Sequence, residues 1–482
     1  IWTVLTIFPV TAPIMTMLRL GTSIVPTWQI VASITVLVLS IVGGLSLSIQ
    51  IFRMHMLMHG KRPGLKQLAQ SLKEARLEDQ RASLEAGQRS AAQGAARKRT
   101  RLHFVDYLRL ALAILVVVHH VGLVYGVSVP DFYYIEPPFV APGVVDPLAY
   151  AALMVFALLN QGWFMGAFFL LAGYFVPGSY DRKGAGSFVR DKLVRLGIPV
   201  ALFYFVLNPI SRLGWWLMPA ELTGITSQPS WGAYSHMVGV GPLWFVILLF
   251  AFSLGYAVWR LLAGKRTSTA ADKASGPSYL GIGIFTLALA GVSYLIRMAI
   301  PIGQAVWEFP TLAYLPQYLS FFVVGIVAYR RDWFRTLPNS MGIAGLVAAL
   351  VAGVVLFPLA FSGRLFSLKL TEAMTVAMGG GHWRSAVYAL WDSIFAVGLC
   401  LGAITVFRRF FGKASRFGGF LARQSYAVYI LHIPVVVFLA WALRGLALPA
   451  LFKFVVASVV IVPACFVVAA IVRKIPGLSR VL

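Results

Sequence analysis

Long runs of apolar residues that carry almost no charge recur along this chain, and they restrict its fold more than any other feature. Each run is about 20 residues long, the length that a helix needs to cross the hydrocarbon core of a bilayer. The segments Trp28 to Phe52 and Phe104 to Gly126 are two examples. Because lipid offers no partners to backbone N–H and C=O groups, such segments form helices rather than open strands. The sequence therefore predicts an all-α, polytopic membrane helix bundle.

The spacing of these runs predicts three parts. Residues 1–75 contain one clear span, residues 76–103 form a basic cytoplasmic linker, and residues 104–482 form a domain of ten spans. Because the chain begins with Ile1 inside apolar sequence, we expect it to be part of something longer. The ten spans of the domain are predicted at 104–125, 150–176, 196–218, 243–263, 279–299, 311–329, 341–361, 385–406, 426–445 and 450–472.

The net charge of +25 follows the topology of a membrane protein. Loops rich in Lys and Arg alternate with loops that have none, which is the pattern that orients spans with their basic loops in the cytosol. Both ends of the ten-span unit are then cytoplasmic, the predicted location is the cell membrane, and no nucleic acid is expected as a partner. The basic loops are 178–195, 264–278, 330–340 and 407–425, the loops without Lys or Arg are 126–149 and 219–242, and 362–384 is a weak exception.

The span that begins at Phe104 carries ionisable residues at helical spacing. His120 follows Arg109 by eleven residues, which corresponds to about 16 Å along a helix and roughly three full turns. Asp106 lies near the same stripe, whereas His119 is offset by about 100°. Such a stripe could bind an anionic group near the cytosol through Arg109 and hold a general base, His120, deeper in. Alternatively, Asp106 and Arg109 only pair or snorkel, and the histidines form hydrogen bonds across helices.

The same residues resemble a known family. "DYLRLALAILVVVHH" is similar to the opening motif of the type-3 acyltransferases, bacterial integral-membrane enzymes that O-acylate sugars and glycans. Four further segments resemble that family in order, and the resemblance extends over about 104–472. These segments are "GWFMGAFFLLAGYFVP" (162–177), "FVRDKLVRLGIP" (188–199), "GPLWFVILLF" (241–250) and "SYAVYILHIP" (425–434).

The resemblance implies a membrane O-acyltransferase. It would move an acyl group, commonly acetyl in the family, from cytosolic acyl-CoA to a hydroxyl of an extracytoplasmic sugar or glycan. His120 would be the catalytic base, and Arg109 would meet the donor. The partners implied are acyl-CoA, a carbohydrate acceptor and the bilayer, and acyl-CoA is a substrate, so no bound cofactor is expected.

Further site residues follow from the chemistry of acyl transfer. Clustered Arg190, Lys192 and Arg195 could bind the phosphates of the donor, although Arg190 and Lys192 could equally be topological charge. Asp106, His119 and Asp392 could support the base, but Asp392 could instead pair with Arg297 or Arg384. The chain contains no G-x-S-x-G or HExxH motif, so no serine-hydrolase mechanism and no metal site are predicted. For His432, a structural hydrogen bond is the favoured interpretation.

Residues 1–75 resemble a different kind of protein. "IFPVTAPIMTMLRL", a span and "MHMLMHGKRPGLKQL" look like the C-terminal end of an ABC-type export permease. The alternative function is therefore a transport component without acyl-transfer chemistry, whose partner would be an ABC ATPase.

Overall fold

Ten long apolar helices run through the part of the chain that the structure describes, a computed structural model. It describes residues 102–126, 132–136, 147–225, 229–263, 276–309, 312–361, 370–478 and 481, so the predicted segment 1–75 and the linker up to residue 101 lie outside it. The ten spans are α1 (His103–Gly126), α2 (Leu148–Lys183), α3 (Ala185–Leu217), α4 (Gly241–Leu262), α5 (Tyr279–Ala299), α6 (Leu312–Arg330), α7 (Asn339–Ala360), α8 (Trp383–Phe410), α9 (Arg416–Gly445) and α10 (Ala450–Val472).

The predicted fold class is confirmed. The described residues contain helices and no strand apart from an isolated β-bridge between Val306 and Phe309. Each of the ten helices is long and apolar enough to cross a membrane. The chain is therefore a multi-pass, all-α membrane protein.

The helices extend further into polar sequence than hydropathy predicts. The predicted loop 178–195 is almost entirely helical, because α2 continues to Lys183 and α3 begins at Ala185. Gly184 separates them with φ +74°, a left-handed conformation that glycine adopts without steric cost. The basic side chains of this region are therefore held on helices rather than on a loop.

Burial differs strongly between the spans and identifies the helices at the centre. Of the most apolar 18 residues, 61% are buried in α1 and 67% in α2, but only 22% are buried in α5. α1 packs against α2, α8, α9 and α10. The histidines of α1 therefore lie in the enclosed centre of the bundle, while α5 presents most of its surface to the surroundings.

Two glycines allow α2 and α6 to cross closely. A Cβ added to Gly173 would lie 2.1 Å from the carbonyl oxygen of Phe322, and one added to Gly325 would lie 2.2 Å from that of Leu170. Small residues permit such backbone contact between membrane helices. The crossing fixes the position of α2, whose aromatic side chains enter the site described below.

The short segment 132–136 is anchored to two spans, α3 and α10. It lies at the end of the bundle opposite to Arg195, Arg330 and Arg473, which mark what we call the basic end. Its anchors are Tyr133 Oη donating to Asn208 Oδ1 at 2.5 Å, Trp215 Nε1 donating to Phe132 O at 3.1 Å, and the buried ion pair of Glu136 with Lys453. Because of these anchors, the Phe132 ring is held against α1.

Candidate functional site

A pair of imidazole rings from two helices forms the centre of the site. His120 on α1 and His432 on α9 lie with their ring centroids 4.7 Å apart in an edge-on arrangement. His432 is fully buried, and His120 is partly exposed. Phe132 lies over His120 with a centroid distance of 6.2 Å. The segment at the end opposite the basic end therefore covers one side of this pair.

Backbone hydrogen bonds determine where each ring carries its proton. His120 Nδ1 lies 2.8 Å from the carbonyl oxygen of Val116, and His432 Nδ1 lies 2.7 Å from that of Tyr429. Because a carbonyl oxygen only accepts hydrogen bonds, Nδ1 must carry the hydrogen in both rings. Each neutral ring then presents a lone pair at Nε2, and for His432 this atom has no hydrogen-bond partner among the described residues. Each ring can therefore accept a proton at Nε2 from a group within hydrogen-bond distance of that atom.

His119 faces away from this pair, as its helical offset predicts. Its ring packs on Phe164 of α2 at a centroid distance of 5.1 Å, and it is 8% exposed. Its Nδ1 atom makes no hydrogen bond within the described part of the chain. The structure thus separates the adjacent histidines between two environments, and only His120 contacts His432.

Asp106 and Arg109 form an ion pair near the start of α1. Arg109 Nη1 lies 3.8 Å from Asp106 Oδ1, and the guanidinium also lies 4.3 Å from the centroid of the Phe175 ring. The pairing that the sequence left open is therefore present. It does not remove Arg109 from the site, because Arg109 also lines a large cavity.

That cavity has a volume of about 1120 Å3 and opens at the basic end of the bundle. Its walls come from α1, α2, α3, α4, α6 and α9 and from residues that follow α10. Its inner part is aromatic, and six basic side chains line the rest. The basic residues are Arg109, Arg182, Lys183, Lys192, Arg195 and Arg473. Such a space is large enough for a sizeable ligand with several negative charges.

Tyr429 connects the cavity to the histidines. Its ring lies on the cavity wall, 5.7 Å from Phe245 and 6.4 Å from Phe168 between centroids. On its other side it lies 5.9 Å from the ring of His432. Its hydroxyl donates to the carbonyl oxygen of Pro242, which fixes the ring. The basic cavity therefore ends at Tyr429, and the His432–His120 pair lies against the other side of that ring.

Three of the four residues predicted to bind the donor meet in this cavity. Arg109, Lys192 and Arg195 line it, whereas Arg190 is exposed and is not part of its lining. Asp191 also lines the cavity and pairs with Lys183 at 2.8 Å and with Arg195 at 3.2 Å. The wall keeps an excess of positive charge, since six cations face one carboxylate.

Pro199 gives the backbone at Arg195 an unusual role. Proline has no N–H, so in a helix the carbonyl four residues earlier loses its usual donor. Here that carbonyl belongs to Arg195, and the hydroxyl of Tyr426 on α9 donates to it at 2.6 Å. Arg195 lies within a π-helical turn, Leu193–Gly197. Tyr426 thereby joins two of the sequence motifs and fixes Arg195 on the cavity wall.

A second tyrosine hydroxyl donates to a carbonyl four residues before a proline, on α3 away from the cavity. Pro209 removes the donor for the carbonyl of Phe205, and the hydroxyl of Tyr234 donates to that carbonyl at 2.7 Å. The two tyrosines therefore have equivalent backbone roles, but only Tyr426 serves a residue that lines the cavity.

Tyr426→Phe tests this role by removing one hydroxyl. It removes the side-chain donor of the Arg195 carbonyl, a hydrogen bond of about 1 kcal/mol, so we expect at most about a fivefold weaker affinity for the anionic ligand of the cavity. The measurement is binding of a labelled ligand to the purified protein. Tyr234→Phe is the matched control, for which we expect unchanged affinity; an equal effect of both variants would indicate a general loss of helix stability instead.

Asp392 lies in a different environment from the histidine pair. It forms a buried ion pair with Arg297 of α5 at 2.5 Å, and the side chains are 1% and 0% exposed. Tyr314 and Tyr388 flank the guanidinium, with centroids at 4.7 and 5.6 Å. The sequence left open a role beside His120 or a pair with Arg297 or Arg384, and the structure shows the pair with Arg297.

Several site residues were not assigned from the sequence. His432, Tyr429 and Tyr426 follow one another at intervals of three on α9, so one helix face presents all three to the site. This spacing could have indicated a shared function. The described residues contain no group of three or more His, Cys, Asp or Glu that could hold a metal ion.

The family of the chain follows from a comparison with sequence models of known families. The model described as an acyltransferase domain, that of the type-3 acyltransferases, matches residues 102–472. The chain belongs to the type-3 acyltransferases. This acyltransferase is therefore an enzyme that transfers acyl groups other than aminoacyl groups. The match does not extend to residues 1–75, so the permease resemblance of that segment has no support from it.

The acyltransferase has no significant match among curated proteins, and none among solved structures. Its donor, acyl group and acceptor must therefore be argued from its own residues.

Proposed function

We propose that this protein transfers an acyl group, acetyl in the first instance, from cytosolic acyl-CoA to a hydroxyl of an extracytoplasmic sugar or glycan. One observation carries the proposal. A cavity with six basic side chains ends at Tyr429, and the ring of Tyr429 lies 5.9 Å from that of His432 in the His120–His432 pair. This arrangement suits a donor with an anionic head and a reactive thioester at the far end of a long arm.

The donor would enter with its phosphates among the basic side chains. Guanidinium and ammonium groups form strong charge-assisted hydrogen bonds to phosphate oxygens. Arg109 and His120 are eleven residues apart on α1, so the arm would reach about 16 Å into the bundle. The apolar and aromatic inner wall, with Phe168, Phe245 and Tyr429, would enclose the pantetheine arm. The proposed orientation has the basic end in the cytosol, in agreement with the charge rule for membrane loops.

His120 would act as the general base. Its Nε2 lone pair would take the proton of the acceptor hydroxyl while the hydroxyl oxygen attacks the thioester carbonyl. Collapse of the tetrahedral intermediate would break the C–S bond, and the proton would pass from His120 to the departing thiolate of CoA. The Nδ1 hydrogen bond to Val116 would hold the ring in the required tautomer throughout. His432, edge-on to His120, would offer a second acceptor for the same hydroxyl.

The acceptor would approach from the end opposite the basic end. Phe132 lies against His120 on that side, and its backbone carbonyl is held by Trp215. The two substrates would then meet at His120 from opposite directions, and neither would have to cross the bundle.

Arg195→Gln should weaken donor binding about tenfold, since a hydrogen bond between charged groups contributes roughly 1.5–3 kcal/mol. The Arg195 side chain is 63% exposed, and salt therefore screens its attraction to the donor phosphates. The difference in affinity between the variant and the wild type should shrink as the salt concentration rises. Arg190→Gln is the matched control, because Arg190 is exposed on the same helix but does not line the cavity. Titration of each variant with labelled acetyl-CoA at two salt concentrations measures the affinity for the donor and its dependence on salt. Equal losses in the two variants would contradict the proposed donor site and favour the sequence prediction that includes Arg190.

The activity itself can be tested in inside-out membrane vesicles. Isotopically labelled acetyl-, propionyl- and succinyl-CoA are each supplied on the exposed side, and labelled carbohydrate is recovered after alkaline release of esters. We expect label from at least one donor, dependent on the protein. Absence of label from every donor, in vesicles that contain folded protein, would overturn the proposal.

A further inference from the structure

A second groove lies between α5, α6 and α8, apart from the histidine site. Its volume is about 530 Å3, within the range of roughly 300–1,000 Å3 that is usual for ligand sites. Its wall is almost entirely apolar. Among the described residues that line it, Arg331 is the only one with a charged side chain. Its lining includes Phe321, Val324, Ala328, Arg331 and Trp333.

The length of the groove corresponds to one leaflet of a bilayer. Phe321, Val324, Ala328 and Arg331 follow at intervals of three and four, so they form one stripe. From Phe321 to Arg331 the stripe extends ten residues, about 15 Å along a helix. The hydrocarbon core is about 30 Å thick, so its half-thickness equals this length.

The polar end of the groove lies at the basic end of the bundle. Arg331 directly follows α6, and its guanidinium carbon lies 5.8 Å from the centroid of the Trp333 ring. Tryptophan and arginine are typical of the boundary between hydrocarbon and lipid headgroups. Ser278, at the start of α5, also lines this end.

From this combination we infer that the groove binds one anionic phospholipid. An acyl chain lies along Phe321, Val324 and Ala328, and the phosphate of the headgroup lies at Arg331. Charge selects the ligand, because Arg331, the one charged side chain among the described residues of the lining, is a cation. The apolar stripe selects a lipid rather than a free phosphate, since a soluble anion would leave it uncovered. The inference does not depend on the proposed acyl-transfer reaction.

Native mass spectrometry of the purified full-length protein tests this inference. The protein is exchanged into micelles that contain equal amounts of phosphatidylglycerol and phosphatidylcholine of the same acyl composition. We expect retention of one phosphatidylglycerol molecule in preference to phosphatidylcholine. Equal retention of the two lipids, or of neither, would overturn the inference.

Two variants locate the site. Val324→Trp places a large side chain in the groove and should abolish retention of the lipid. Val323→Trp is the matched control, because Val323 is the adjacent residue, is 48% exposed and does not line the groove. Arg331→Gln should lower the preference for phosphatidylglycerol about fivefold while a lipid of either kind can still bind. Arg409→Gln, which alters another arginine beside an aromatic ring at the basic end, should change nothing. Unaltered preference in Arg331→Gln would overturn the inference even if Val324→Trp failed to fold.

Discussion

His120→Gln should reduce the rate of acyl transfer by about 10²- to 10⁴-fold, the usual contribution of a positioned general base. Glutamine retains a polar side chain but has no basic nitrogen to take the proton of the acceptor. Binding of acyl-CoA should remain, because the basic residues of the cavity are unchanged. The measurement is the initial rate of label transfer from acetyl-CoA to carbohydrate at saturating donor.

The matched control is His236→Gln. His236 is exposed on the short helix Tyr234–Met237 and is expected to be without influence on the rate. Thermal unfolding of both variants in detergent checks that they are folded. If the His120 variant is folded and transfers label at the wild-type rate, His120 is not the base.

Asp392→Ala should destabilise the protein more than any other single change proposed for it. It leaves the guanidinium of Arg297, which is 0% exposed, without its counter-charge. Removal of one partner of a buried ion pair costs about 3–5 kcal/mol. The free energy of unfolding, measured by denaturant titration in mixed micelles, should fall by that amount. Arg335→Gln breaks an ion pair that is partly exposed and should cost at most about 1 kcal/mol.

The double variant Arg297→Met/Asp392→Leu separates stability from catalysis. It replaces the buried pair with apolar side chains and should recover most of the lost stability. The structure pairs Asp392 with Arg297 rather than with a histidine, so the double variant should also keep its rate of acyl transfer. A stable double variant that has lost activity would instead support the catalytic role that the sequence allowed for Asp392.

The positions of the ten spans could be predicted from the sequence because hydrocarbon imposes one strong local condition on each. The predicted span 279–299 coincides with α5, and 450–472 coincides with α10. The C-terminal end of α2 and the N-terminal end of α3 extend beyond the predicted spans. Hydropathy detects the apolar part of a helix but not its continuation into polar sequence. Arg195 consequently lies on a helix where a loop was expected.

The stripe on α1 was also accessible from sequence, because Asp106, Arg109 and His120 belong to one helix and their relative directions follow from its geometry. The partner of His120 could not be predicted from the sequence, since His432 lies on another helix more than 300 residues later. The hydrogen bond from Tyr426 to the Arg195 carbonyl also joins two distant helices, so it could not be predicted either. Proline at position 199 indicates that a carbonyl loses its donor, but only the tertiary structure identifies the hydroxyl that replaces it.

Photo-cross-linking with an acyl-CoA analogue is the most direct test of the central claim, that the basic cavity delivers the donor to the histidine pair. The analogue carries a photoreactive acyl group, and labelled residues are identified by mass spectrometry of the protein in membranes. The account predicts adducts on the inner cavity wall near Tyr429, on α2, α4 and α9, that disappear when unlabelled CoA is in excess. Adducts confined to other helices, or adducts that excess CoA does not displace, would contradict it.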